Sequence, residues 1–84
     1  MHRIVLHDGT YLEAKWAGVS GDILCLSVKT RDTVLQLASL FSDVSKTDKI
    51  WFEFGENTET YEGYTNLVSV TTMISEALIQ LRHG

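Results

Sequence analysis

The sequence predicts an α+β domain built on a mostly antiparallel, strongly curved or barrel-like sheet of about five to six strands, with one helix at about residues 31–42. Three observations carry that expectation. Runs of alternating polarity are set apart by turn signals such as Asp8-Gly9 and Gly18–Asp22. One segment, TVLQLASLF, changes to helical spacing. The first two strands are apolar on both faces, which a single helix cannot cover, so the sheet should curl on itself or pack against another subunit. Eighty-four residues make one domain spanning 1–84, near the size at which a single core yields little net stability.

Taken in order, HRIVLH and TYLEAKWAG flank Asp8-Gly9, a pair suited to a two-residue turn with positive φ, so they read as a hairpin. That register sets Ile4, Leu6 and Tyr11 on one face and Val5, Leu12, Ala14 and Trp16 on the other. After a turn at residues 18–22, ILCLSVK alternates as a third strand over 23–29. Val34, Leu37, Ala38 and Phe41 then recur at helical spacing, and Thr33 with Gln36 stands in capping-box register. SDVSKTDK reads as a polar loop. KIWFEF and YEGYTNLVSVT form a second hairpin, and EALIQLR alternates as the last strand. Met73, Ile74, Ala77, Leu78 and Leu81 also fit one helical face, so the segment 73–82 carries both readings, with the strand preferred.

The second hairpin holds the candidate site. EFGENTETYEGYT places glutamates at 53, 56, 59 and 62 among aromatic rings. A turn centred on Asn57-Thr58 pairs Glu53 with Glu62 and Trp51 with Tyr64, leaving Trp51, Glu53, Glu62 and Tyr64 together on the outer face. Like charges opposite one another oppose folding, so this arrangement suits a contact in which the rings anchor and the carboxylates select a cationic partner. On this reading, exchanging both glutamates for glutamine leaves stability unchanged or raised.

Other chemistries find little in the chain. ENTETYEG lacks the ligand spacing and glycine placement of a calcium loop. His2, His7, His83 and Cys25 show no spacing that converges on zinc, so no metal and no cofactor are expected. Neither GxGxxG nor GxxxxGK[ST] occurs. His7 next to Asp8 has no serine or cysteine nucleophile beside it in sequence, and no catalytic residue is assigned. A net charge of −4 disfavours binding to phosphate backbones, so direct nucleic-acid contact is not expected. No apolar run reaches the roughly 20 residues that span a bilayer, and the opening MHRIVLHDGT has no signal-length apolar run. With Cys25 the single cysteine, a reducing cytoplasm is the expected location.

The helix has more apolar surface than one sheet requires, since only Gln36 and Ser39 are polar between Val34 and Phe41. A homo-oligomer with Leu35 or Leu40 buried between chains would cover the excess.

LHDGT, ILCLSV, LASLFSD, SKTDKI and YEGYTNLVSV together resemble a group of short, uncharacterised accessory proteins encoded in bacterial prophages. The resemblance covers nearly the whole chain, through motifs that are structural in kind. It implies a non-enzymatic protein acting by stoichiometric binding. The first expectation is an inhibitor of a host defence component, anti-CRISPR-like or signal-sequestering, whose partner is a host protein with a basic surface or a small signal molecule. The alternative is an assembly or decoration protein of the tail or capsid, located in the virion.

Overall fold

The computed structural model describes residues 2–84. The elements are β1 (Arg3–Leu6), β2 (Tyr11–Ser20), β3 (Ile23–Lys29), α1 (Val34–Phe41), α2 (Val44–Thr47), β4 (Lys49–Phe54), β5 (Asn57–Glu62), β6 (Asn66–Met73) and β7 (Glu76–Arg82). They make an α+β fold with one antiparallel sheet of seven strands, in the order β5-β4-β1-β2-β3-β7-β6. The expected five to six strands become seven because YEGYTNLVSVT breaks in two. Gly63, at φ +82°, turns the chain out of β5, and its N–H donates to the Asp48 carbonyl at 3.0 Å. The expected single helix is joined by α2, formed where Asp43 caps the next turn by accepting from the Ser45 N–H at 3.0 Å. Residues 73–82 run as the end of β6, a turn and strand β7, so the helical reading there is set aside.

The sheet is curved without being closed. Its edge strands β5 and β6 are consecutive in sequence and joined only by residues 63–65, a link that spans at most about 14 Å. The edges must therefore curl toward each other, although they share no ladder. β2 makes the corner: its first half pairs with β1 and its second half with β3, and a bulge between Ala14 and Trp16 bends it.

The first hairpin differs from the expected two-residue turn. Gly9 has φ +91° while Asp8 does not share the positive φ, and the Gly9 N–H donates to the Leu6 carbonyl at 2.9 Å. This is the three-residue loop with a left-handed glycine bulge. The extra residue slips the register by one, pairing Ile4 with Leu12 and Val5 with Tyr11. A slip of one exchanges the faces. Leu12, not Tyr11, shares the inner face with Ile4, and Tyr11 is 60% exposed on the outside.

Helix α1 begins where its capping box predicts. The Thr33 hydroxyl accepts from the Gln36 N–H at 3.2 Å, and the Gln36 side chain accepts from the Thr33 N–H at 2.8 Å. The helix inserts Leu37 and Phe41 among Ile4, Leu6, Leu24, Leu26, Val28, Ile50, Ile79 and Leu81, all fully buried. Leu40 also leans on this core, so of the two leucines expected between chains only Leu35 stands free, 82% exposed.

Candidate contact face

The outer side of β2, β1, β4 and β5 can be built up from the pairings. Residues directly opposite in antiparallel strands share a face. Arg3 is opposite both Glu13 and Glu53, and Glu53 is opposite Thr58, which gives one row across the sheet. Val5 is opposite both Tyr11 and Trp51, and Trp51 is opposite Thr60, which gives the next. Lys49 opposite Glu62 closes the third. The face is thus an apolar row, Tyr11–Val5–Trp51, bordered on both sides by charged rows.

These charges are paired. Arg3 donates to Glu53 and lies 5.2 Å over the Tyr11 ring, so its guanidinium is held firmly charged, chiefly by the hydrogen bond to Glu53. Glu62 meets Lys49 at 3.3 Å, and the same ammonium sits 5.5 Å from the Trp51 ring. Lys29 reaches Glu13 at 3.5 Å. Cations over aromatic faces are attracted to the rings and restrict them.

The expected pairing of Glu53 with Glu62 is corrected by the turn. Gly55, at φ +60°, occupies the first position of a two-residue Gly55-Glu56 turn, so Phe54 pairs with Asn57 and each β4 residue meets a partner four positions earlier than expected. The shift is even in register, so Trp51, Glu53 and Glu62 keep the outer face, but the two glutamates are separated and each finds a cation. Tyr64 does not join them. It lies beyond the end of β5 and packs on the core, edge-on to Tyr61 at 6.4 Å and to His83 at 5.1 Å. Tyr61 itself donates to Glu59; burial first, and then that carboxylate, push its phenol well above the usual range. Glu56, at the turn apex, is exposed and has no cation within bonding distance among the described residues.

Pairing reverses one expectation. Glu53→Gln with Glu62→Gln should now melt slightly below the parent, because two ion pairs across β4 are lost and no like-charge repulsion is relieved. A thermal melt followed by circular dichroism reads the sign. A melting point above the parent would mean that the carboxylates repel each other after all.

At one end the face meets a cleft of about 530 Å³ lined by His7, Asp48, Lys49, Glu62, Gly63 and His83. His7 stands 3.7 Å from the Asp48 carboxylate and edge-on to Trp51 at 6.1 Å. His7 and His83 therefore share a cleft, which their sequence positions do not suggest, while His2 lies elsewhere, against Phe52 and Phe54. No hydroxyl or thiol is in the lining for the His7–Asp48 pair to activate. Among the described residues no three of His, Cys, Asp and Glu gather as a metal site. Arg3, Val5 and Tyr11 are the members of the face that sequence reasoning missed, since β1 pairs with β4 across 40 or more intervening residues.

Compared with family models, curated proteins and solved structures, the chain matches none of them.

Proposed function

We propose that this chain is a prophage accessory protein that acts by stoichiometric binding, inhibiting a host defence component through the outer face of β1, β2, β4 and β5. One observation carries the reading: the Tyr11–Val5–Trp51 row, with Tyr11 exposed and Val5 and Trp51 half-buried, lies on the outer face between two rows of paired charges. Interface centres favour aromatic side chains and arginine within a polar rim, and this face has that composition. Rings pinned by Arg3 and Lys49 lose little further freedom on binding. The chain's net charge of −4 and the unpaired Glu56 at the hairpin tip direct it toward a protein with a basic surface.

The test is infection of hosts that each carry one defence system, with and without the expressed chain. Plaquing should return in at least one host, and Trp51→Ala should abolish that return. A chain that leaves plaquing unchanged in every host, yet is found in purified virions, would replace this reading with the assembly role.

A further inference from the structure

The turn between β6 and β7 departs from local preference twice. Met73 pairs with Glu76, so Ile74 and Ser75 form a two-residue turn. Ser75 has φ +64°, a conformation suited to glycine, and is the one positive-φ residue other than glycine among the described residues. Ile74, at the apex, is 96% exposed and Met73 beside it is 57% exposed. Hairpin tips are ordinarily polar, and departures of this kind concentrate where a surface is used.

Beside this apolar knob is a hole. A cleft of about 500 Å³ runs between residues 72–75 and residues 31–33, the lead-in to α1. The Thr30 N–H donates to the Ser75 carbonyl at 3.1 Å and fixes the two sides relative to one another. The cleft carries opposite charges, Arg31 and Asp32, that no ion pair among the described residues neutralises. Arg3, Lys15, Lys29, Lys46, Lys49 and Arg82 all have carboxylate partners, whereas Arg31 has none and Asp32 has no cation, among the described residues.

We propose that this face is the contact between two copies of the chain. In a two-fold interface one patch meets itself, so it must contain both a projection and its recess, and both signs of charge. Ile74 next to the cleft supplies the first pair, and adjacent Arg31 and Asp32 supply the second. The two-fold sets Ile74 of each copy into the cleft of the other and Arg31 of each against Asp32 of the other. Leu35, in the first turn of the same helix, extends the apolar rim. A partner of different chemistry would need only one half of each complementary pair. The contact uses no residue of the Trp51 face, so it stands or falls apart from the proposed inhibition.

Sedimentation equilibrium of the full chain at tens of micromolar should give twice the chain mass of 9.5 kDa. Ile74→Asp should give monomer with an unchanged circular dichroism spectrum, because the side chain is outside the fold. Arg31→Asp and Asp32→Arg should each weaken the dimer by about tenfold or more, and the two together in one chain should restore it. A parent that stays at one chain mass, a dimer indifferent to Ile74→Asp, or a double exchange no better than the single ones would each overturn the proposal.

Discussion

Phe41→Ala should lower stability by about 3–5 kcal/mol, the largest effect expected of any single change in the chain. The ring is fully buried at the end of α1 and is the largest side chain with no solvent contact. It reaches a core shared by strands from both halves of the sheet, so its loss leaves a cavity that no one element can collapse to fill. A domain of this length has only about 4–13 kcal/mol to lose, so the melting temperature should fall by about 15 °C or more. Leu35→Ala, on the same helix but 82% exposed, should leave the fold within about 0.5 kcal/mol of the parent. Equal losses at the two positions would mean that α1 does not bury the face described.

Trp51→Ala should remove the biological activity while leaving the fold in place. Its ring lies on the outer side of β4 against Lys49 and His7, so truncation opens no cavity in the core. An aromatic residue at the centre of a contact contributes about 2 kcal/mol or more, which corresponds to about thirtyfold or more in affinity. Trp51→Thr, which keeps a β-branched residue in the strand, should lose as much binding and less stability. Tyr11→Ala should weaken binding in the same sense, because Tyr11 continues the same row through Val5. Tyr64→Ala should act on stability, since that ring belongs to the core side. Loss of binding from Tyr64→Ala at undiminished stability would contradict the assignment of faces.

These contrasts follow from what local sequence can and cannot encode. Strand β3 at 23–29, strand β7 within 73–82 and the Thr33–Gln36 cap were legible because each depends on periodicity or on groups three residues apart. Registers were not, because they depend on turn type. Asp8-Gly9 suits a two-residue turn and Gly9 alone suits a bulged one, and the difference of one residue moves Tyr11 from the core side to the outside. In the same way, Gly55 rather than Asn57 makes the second turn, which gives Glu62 a lysine in place of a glutamate. The pairing of β1 with β4 lies beyond any local pattern, and it is this pairing that brings Val5 and Arg3 beside Trp51 and Glu53. The surplus of apolar surface on α1 was legible, but its position was not: Leu40 turns inward, and the unpaired surface continues onto Met73 and Ile74 through a turn that strand alternation does not announce.

Titration of the purified chain into a defence component whose activity it lowers tests most directly whether the proposed inhibition is stoichiometric and runs through the Trp51 face. Inhibition should rise linearly and saturate at a fixed ratio near one chain per binding site, with Trp51→Ala inert at the same concentrations and melting close to the parent. Complete inhibition by a small fraction of one equivalent, or full inhibition by Trp51→Ala, would contradict that reading.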